Sequence, residues 1–382
     1  MADPATLLPD GPRNGAPDAT PDRPVGGQSE GSPDELPNGA PGELLKEPAG
    51  ELPEAPREGQ AGGQAYGTPR KQAEGQSEGP PEGRYDADVV ILALDRAEDT
   101  VAAIRSALAQ TAVTRHVWVI DQGSRPQNLA VLRRAVAGRP DASLVVMGRN
   151  YGVAGGRNRG TALGHGRVIV GLDNDAEFAT PDTVARLVAA LDAEPDIAAI
   201  GCRIVTFATG ADDLSSWGYA SRLLPRAGEN FDTTTFVGAG HAIRRAAWQD
   251  AGGYDEALFF CWEELDFCAR ARARGWRVRY RGDIAIRHKV SAEQRVAWSG
   301  TRWFYFVRNR LYVGRKNGAS WMGLLPRLGV YLVRALRDGA LRQAIRAVPA
   351  SIQLGRAQRV PQRAQRTQRA QRAQRAQVSH RA

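Results

Sequence analysis

The amino-acid sequence predicts an α/β fold with a mostly parallel central sheet, and three observations support this fold class. Short apolar runs alternate with amphipathic segments of helical spacing from residue 88 onward. Polar residues follow the apolar runs directly, and the flanking Pro-, Gly- and charge-rich stretches confine this pattern to the middle of the chain. Strands that alternate with helices form parallel sheets covered on both faces, because each connecting helix packs back onto the sheet.

The predicted elements begin with a buried strand and follow one another at short intervals. The predicted strands cover residues 89–94, 117–120, 144–147, 168–172 and 284–286, and the first two helices cover residues 101–108 and 129–136. A later helix passes through Trp248 and ends at Gly252-Gly253, which is typical of a C-terminal cap. Another helix runs from Glu263 to about Arg274.

Polar side chains follow four of the predicted strands. Asp95, Asp121 and Asn150 follow the first three strands, and Asp173 and Asp175 follow the fourth. In open α/β sheets, ligands bind beyond the carboxyl ends of the strands. The sequence therefore predicts a ligand site at this edge of the sheet.

The segment Asp173-Asn174-Asp175 comes directly after the apolar run 167–172. Side chains two residues apart on a strand share a face, so both carboxylates point the same way. This arrangement suits a hard divalent cation, Mg²⁺ or Mn²⁺, which completes its shell with water and the phosphates of a substrate. A polar turn is the alternative interpretation, since Asp and Asn are common turn residues.

A glycine-rich segment, residues 150–160, lies between the third and fourth strands. Its glycines allow a ligand to approach the backbone closely, and Arg157 and Arg159 have the chemistry to contact phosphate or to stack on a base. Asn150 and Asn158 each stand two residues before a glycine, which favours a binding role. The alternative is a flexible loop that enters a helix.

The two ends of the chain differ in composition from the middle. Residues 1–84 hold 15 acidic residues against 7 Lys and Arg among many Pro and Gly, and such a stretch buries too little apolar surface to fold, so we predict disorder. Residues 319–355 are predicted to form an amphipathic helical segment, and residues 356–382 form a low-complexity Arg/Gln/Ala tail with 8 Arg and no acid. Residues 85–318 remain as the folded domain.

The chain carries a formal charge of +9, and with −8 in the head and +8 in the tail the middle also carries about +9. A basic body suits a polyanionic donor or acidic lipids, and the tail suits peripheral contact with the inner face of a membrane. A tail that is merely solvated is the alternative. No aromatic residues alternate with the tail arginines, so no nucleic acid is expected as a partner.

Three sequence features predict a cytoplasmic protein. The N-terminus lacks the basic start and apolar core of a secretory signal, and no run of about 20 apolar residues predicts a transmembrane helix. The three cysteines, Cys202, Cys261 and Cys268, show no spacing typical of zinc or disulfide sites.

Across roughly residues 86–318, the chain resembles a family 2 glycosyltransferase of the GT-A fold, a Rossmann-like domain that binds nucleotide sugars. The resemblance depends on several motif blocks in the order and at the spacing typical of that family. The blocks are Val89–Arg96, Ser106–Gln110, Val119–Ser124, Asn150–Gly160, Asp173–Asp175, Asp255–Asp266, Arg308–Arg310 and Lys316-Asn317.

The resemblance implies that six residues contact a nucleotide-sugar donor, and one of them, Asp173, also belongs to the metal site. Asp95 and Asp121 would hold the base and the ribose, although Asp95 stands where the family usually has Asn. Asn150, Arg157 and Asn158 belong to the glycine-rich block and would also contact the donor.

The resemblance implies a metal site at the end of the fourth strand. Asp173 would contact both the ribose and the metal on the diphosphate, and Asp175 would bind that metal. His288, which follows the last predicted strand, would complete the metal shell. A packing or surface role for His288 is the alternative.

Sugar transfer with inversion also needs a general base, because the acceptor hydroxyl loses its proton as it attacks. The resemblance places this base at Glu264, where the family usually has Asp. Glu263 and Asp266 remain candidates because the extra methylene of Glu264 changes its reach. The alternative is that these acids only complement the macrodipole of the helix they open.

Taken with these features, the resemblance implies an inverting glycosyltransferase that moves a sugar from a UDP- or dTDP-sugar to an acceptor hydroxyl in cell-wall, polysaccharide or natural-product glycosylation. The acceptor is expected to be a glycan, a lipid-linked glycan or a small molecule. A nucleotidyltransferase is one alternative, but residues 93–96 lack the Gly-rich, Lys-bearing loop it would need. A non-catalytic protein that binds sugar nucleotides or serves as a scaffold is the other.

Overall fold

The computed structural model describes residues 85–289 and 300–358, and its described part is built on one nine-stranded sheet. The strands β1 to β9 are Ala87–Ala93, Arg115–Asp121, Ala142–Val146, Val168–Leu172, Ala176–Phe178, Ile197–Thr206, Asn230–Thr233, Gly240–Arg244 and Arg277–His288. The strand order is β3-β2-β1-β4-β8-β6-β9-β5, and β7 pairs with β9.

The first six helices pack on the two faces of this sheet, and the helices that follow them in the chain form a separate group. The helices α1 to α8 are Ala97–Leu108, Pro126–Val136, Gly152–Leu163, Thr183–Ala193, Arg245–Ala251, Glu263–Arg272, Gly300–Lys316 and Trp321–Arg337, and α9 covers residues 341–358. Helix α5 ends where the sequence predicts, because Gly252 adopts a left-handed conformation at φ 83°.

Six of the nine strands run in the same direction, which confirms the predicted mostly parallel sheet. Strands β1, β2, β3 and β4 pair in parallel, and β6 pairs in parallel with β9. Strand β8 lies antiparallel between β4 and β6, so those two strands also point the same way. The carboxyl ends of β1, β2, β3, β4, β6 and β9 therefore meet at one edge.

The core lies on both faces of the sheet, as a parallel sheet covered by helices requires. On one face, apolar side chains of α1, α2 and α4 pack against β1, β2 and β4. On the other face, α3, α5 and α6 pack against side chains of the same sheet. The central strands are buried from both sides, which explains their nearly continuous apolar sequences.

A buried carboxylate connects three elements at the opposite edge of the sheet. Asp88 on β1 accepts hydrogen bonds from Trp118 Nε1 on β2 at 2.9 Å, from the Gly166 backbone N–H at 2.6 Å and from Arg245 on α5 at 2.6 Å. A fully buried charge is tolerated only when it is paired and hydrogen-bonded in this way.

Helices α7, α8 and α9 share a core of their own, built around Trp303, Leu311 and Tyr331. Residues 319–355, predicted as an amphipathic helical segment, contain α8 and most of α9. In the described part of the chain, no helix is both long enough and apolar enough to cross a bilayer.

The predicted domain boundaries at residues 84, 318 and 355 stay predictions. The disorder predicted for residues 1–84 lies outside the described residues. The same is true of the low-complexity tail, except that residues 356–358 continue α9.

Candidate active site at the carboxyl edge of the sheet

The carboxyl edge of the sheet gathers most of the polar residues that the sequence singles out. Asp95 follows β1, Asp121 ends β2, Asn150 follows β3, and Asp173 follows β4. His288 is the last residue of β9 and reaches the same edge. The parallel direction of these strands brings residues almost 200 positions apart into one region.

The acid pair after β4 is held by one arginine on each side. Arg157 donates to Asp173 Oδ1 at 2.7 Å, and Arg96 donates to Asp175 Oδ2 at 2.7 Å. Asn174 points away from the pair and donates to Thr100 Oγ1 at 3.3 Å. Both carboxylates therefore keep one oxygen that neither arginine holds.

His288 lies between two carboxylates, one of which the sequence does not single out. Its Nδ1 is 2.9 Å from Asp213 Oδ2, and its Nε2 is 3.4 Å from Asp175 Oδ1. Although burial opposes the charged imidazole, the hydrogen bonds with Asp175 and Asp213 raise the pKa of His288 to about 10. Asp213 thus fixes the ring so that Nε2 faces the acid pair.

Within residues 85–289 and 300–358, no three or more His, Cys, Asp or Glu side chains are grouped so as to hold a metal ion by themselves. Mg²⁺ and Mn²⁺ do not need such a group, because they take one or two carboxylates and complete the shell with phosphates and water. Ligands of an octahedral ion at about 2.1 Å lie about 3.0 Å apart. The 3.4 Å between Asp175 Oδ1 and His288 Nε2 is an ion pair between charged groups, so a cation bound to both atoms would have to replace the proton on Nε2.

Asp95 and Asp121, both predicted to contact the nucleotide-sugar donor, accept hydrogen bonds that stabilise the loops after β1 and β2. Asp95 accepts from the Arg125 backbone N–H at 2.9 Å and from Asn128 Nδ2 at 2.7 Å. Asp121 is fully buried and accepts from the backbone N–H groups of Gly123 and Ser124 at 3.2 Å. Asp95 remains partly exposed at the edge, whereas Asp121 supports the loop from beneath.

The glycine-rich block is helix α3 rather than an open loop. Gly152 has φ 75°, and a Cβ there would lie 2.1 Å from the carbonyl oxygen of Phe259, so only glycine fits this approach. Asn150 accepts from the Gly152 N–H at 2.7 Å and so helps to start the helix. The glycines therefore serve close packing of protein against protein.

Arg157 and Asn158 point into the protein from α3. Arg157 is 3% exposed and donates to the carbonyl of Val90 at 3.0 Å as well as to Asp173. Asn158 donates to the carbonyl of Tyr254 at 3.0 Å and accepts from its N–H at 3.0 Å. Arg157 reaches the site only through Asp173, and the structure does not bring Asn158 to the open edge.

Glu264, the first candidate for the general base, lies against the loop before β8. A Cβ on Gly238 would be 2.4 Å from Glu264 Oε1, so the carboxylate touches the backbone at that glycine. Arg157 donates to the Gly238 carbonyl at 3.3 Å and to Asp173, which places Glu264 beside the acid pair. Burial raises the pKa of Glu264 to about 7.

The other two candidates are more deeply buried. Glu263 is 2% exposed, and burial together with repulsion from Glu264 raises its pKa well above the usual range. Asp266 is fully buried and binds Arg270 at 2.8 Å and Lys316 at 2.9 Å. Asp266 therefore stabilises the packing of α6 against α7, and Glu264 alone combines partial exposure with a position beside the acid pair.

The segment that leads into Glu263 has a strained backbone. The φ values of Phe259, Cys261 and Trp262 are 62°, 57° and 72°, and residues other than glycine rarely adopt such backbone conformations. Such conformations cluster at functional sites and persist only where surrounding contacts hold them. Here α7 supplies those contacts.

Asn309 on α7 is the centre of these contacts. It is fully buried, and its Nδ2 donates to the carbonyls of Leu258 and Phe260 at 2.7 Å and of Cys261 at 3.1 Å. Lys316, on the same helix, binds Asp255 at 2.7 Å at the start of the loop. Asp213 and Asn309 are the residues whose positional roles the sequence did not reveal, since each acts across a long sequence separation.

Comparison with known proteins agrees with this architecture. Residues 88–251, from β1 through α5, match the family model described as glycosyl transferase family 2. The mannosyltransferase PcManGT from Pyrobaculum calidifontis, solved in complex with GDP-Man and Mn2+, has a similar fold. It aligns with 72% of this chain and 77% of its own at a TM-score of 0.50 and 21% identity, and this likeness shows the fold.

Two relatives by sequence come from Rhizobium meliloti (strain 1021). The succinoglycan biosynthesis protein ExoO is 37% identical over 108 residues, which are 28% of this chain and 30% of that protein. The succinoglycan biosynthesis protein ExoU is 32% identical over 203 residues, which are 49% of this chain and 57% of that protein. The chain thus spans less than two thirds of the length of either relative.

Replacing Asn309 by Leu is expected to lower the free energy of unfolding by about 2 to 4 kcal/mol, because three buried carbonyls lose their donor. Urea denaturation measures this loss, and faster proteolysis between residues 255 and 263 would show that the loop is released. Asn317→Leu is the control, since Asn317 is exposed and donates only to Val313 at 2.9 Å. Equal effects of the two substitutions would contradict the role of Asn309.

Proposed function

We propose that this chain is a glycosyltransferase of family 2, whose model matches residues 88–251, and that it transfers a sugar from a nucleotide-diphosphate sugar to an acceptor hydroxyl with inversion at the anomeric carbon. This proposal depends on the proximity of two clusters of side chains. One has the chemistry to hold a cation, and the other has the chemistry to accept a proton. A pair of carboxylates with a histidine lies on one side of Arg157, and a carboxyl group with a pKa near neutrality lies against Gly238 on the other.

We propose that Asp173, Asp175 and His288 hold a divalent cation together with the donor diphosphate. A cation in that position supplies charge neutralisation to the departing nucleoside diphosphate. The complex of PcManGT with GDP-Man and Mn2+ supports a metal-dependent reaction but does not decide between Mg²⁺ and Mn²⁺. Asp95 is proposed to contact the donor nucleotide on the adjoining part of the edge, whereas the buried Asp121 would act through the loop that it holds.

Glu264 is the proposed general base. Its carboxylate takes the proton of the acceptor hydroxyl as the oxygen attacks the anomeric carbon. The new glycosidic C–O bond forms while the bond to the diphosphate oxygen breaks, and the leaving group departs with that electron pair. A pKa of about 7 leaves Glu264 available as a base at neutral pH. Attack from the face opposite the leaving group inverts the configuration.

The relatives support a role in polysaccharide biosynthesis, since both are named for succinoglycan biosynthesis, and a lipid-linked glycan acceptor stays a prediction. A UDP- or dTDP-sugar stays the predicted donor, and a cytoplasmic location stays a prediction. A non-catalytic binding protein is disfavoured by the buried acids of α6, because two raised carboxyl pKa values cost stability and a scaffold gains nothing from them.

Glu264→Gln is expected to lower kcat by 100-fold or more, because the variant cannot accept the hydroxyl proton. In the native protein kcat should rise with pH through about 7, since the base works only when it is ionised. Initial rates of nucleoside diphosphate release across pH 5.5 to 9 measure both effects. Glu229→Gln is the control, because Glu229 is exposed and pairs only with Arg226. Native-like turnover by the Glu264 variant would exclude Glu264 as the base.

Asp213→Asn is expected to weaken Mn²⁺ binding by 10- to 100-fold, because the His288 ring loses the carboxylate that orients it. Titration by electron paramagnetic resonance, with a nucleoside diphosphate present, measures the affinity without any turnover. Asp212→Asn is a neighbouring control, since Asp212 binds Arg203 instead. An unchanged Mn²⁺ affinity in the Asp213 variant would remove His288 from the proposed metal shell.

A further inference from the structure

The positive charge of the chain is concentrated in its C-terminal helices and the tail that follows them. Residues 85–299 contain 26 acidic and 26 basic residues, so that part has no net charge. Residues 300–382 contain 18 Lys and Arg and a single acid, Asp338. The basic character predicted for the middle of the chain therefore lies wholly within residues 300–355.

The same helices carry most of the exposed large apolar side chains. Among the described residues, eleven large hydrophobic side chains are exposed, and eight of them lie between residues 321 and 352. These eight are Trp321, Met322, Leu325, Val330, Val333, Leu336, Ile345 and Ile352. Apolar groups concentrated in this way mark an interaction surface rather than an ordinary protein surface.

Helix α8 shows the feature most clearly, because both of its faces are apolar. Its inner face packs Leu324, Tyr331 and Ala335 against the helical core. Its outer face presents Met322, Leu325, Gly329, Val333 and Leu336, which are spaced three or four residues apart and so form one stripe. Leu336 is 61% exposed and Met322 is 81% exposed. A helix that faced only water would carry polar residues there.

Arginines accompany this stripe. Arg337 ends α8, and Arg342, Arg346 and Arg356 are exposed on α9. The acid of this region, Asp338, accepts a hydrogen bond from Trp303 Nε1 at 2.9 Å. An apolar stripe bordered by arginines matches the boundary between the headgroups and the acyl chains of a membrane with anionic lipids. A second copy of the chain is a poorer fit, because two such faces would bring like charges together.

We propose that the outer face of α8 and the exposed arginines of α9, here called the basic–apolar face, bind the surface of a membrane that contains anionic lipids. The apolar side chains enter the acyl boundary, and the arginines contact the phosphate groups of the lipids. This interaction does not depend on the proposed reaction. It assigns the C-terminal helices a second role beside the support that α7 gives to the loop 255–263.

The test is co-sedimentation of the full-length protein with vesicles of phosphatidylcholine alone and with vesicles that also hold 30% phosphatidylglycerol. We expect strong binding to the anionic vesicles only, and a loss of at least tenfold in partition for Leu325→Ser/Leu336→Ser. A charge variant with Gln at residues 342, 346 and 356 should lose roughly fivefold for each arginine. Val146→Ser/Leu214→Ser is the matched control, because both residues are exposed apolar side chains outside the basic–apolar face.

Three results would overturn the proposal. One is equal binding to both kinds of vesicle, and another is unchanged binding of the Leu325/Leu336 variant. The third is a native dimer, measured by light scattering, that this variant converts to a monomer, since a second copy would then cover the face. Circular dichroism of each variant confirms that the fold is retained, and a variant that unfolds is replaced by Met322→Ser/Val333→Ser.

Discussion

The buried guanidinium of Arg157 is the contact on which the rest of the site depends. It extends from α3 to the carbonyl of Val90 on β1, to Asp173 after β4 and to the carbonyl of Gly238 before β8. Three separate parts of the sheet are thereby fixed to one rigid planar group. Because arginine stays charged even when buried, it also offsets the negative charge that Asp173 brings to the edge.

Support for the opposite wall of the site comes from the helices outside the sheet. Helix α7 holds the strained segment at residues 259–262 through Asn309, and that segment sets the position of Glu263 and Glu264 at the start of α6. The blocks Arg308–Arg310 and Lys316-Asn317 lie outside the residues 88–251 that match the family model, and some of their side chains hold this backbone. Arg308 donates to the carbonyl of Ala257 at 2.8 Å and Lys316 binds Asp255 at 2.7 Å, whereas Asn317 is exposed and donates to the carbonyl of Val313 on α7.

Much of the fold followed from local sequence patterns. The apolar runs located β1 to β4, and Gly252 located the end of α5, because burial and backbone conformation act over a few residues. The convergence of Asp95, Asn150 and Asp173 also followed, since parallel strands end at one edge, whereas His288 was expected there only from the family resemblance. The glycine-rich block was harder to interpret. Glycine is required at residue 152 because the carbonyl of Phe259, more than 100 positions away in sequence, leaves no space for a Cβ.

The roles of Asp213 and Asn158 were hidden for the same reason. Asp213 lies in a loop with no motif, and only the pairing of β6 with β9 brings it to His288. Asn158 looked like a ligand contact, but folding turns it toward Tyr254. Side-chain direction on a helix, and contacts between distant loops, depend on tertiary packing that spacing along the chain does not encode.

We propose that the acid pair and His288 form one cation and diphosphate site at the edge of the sheet. A crystal structure with Mn²⁺ and a bound nucleotide sugar tests it most directly. We expect anomalous density for manganese within about 2.3 Å of Asp175 Oδ1 and of His288 Nε2, with the diphosphate as a further ligand. Phosphates bound away from residues 173–175, or manganese without contact to either side chain, would contradict it.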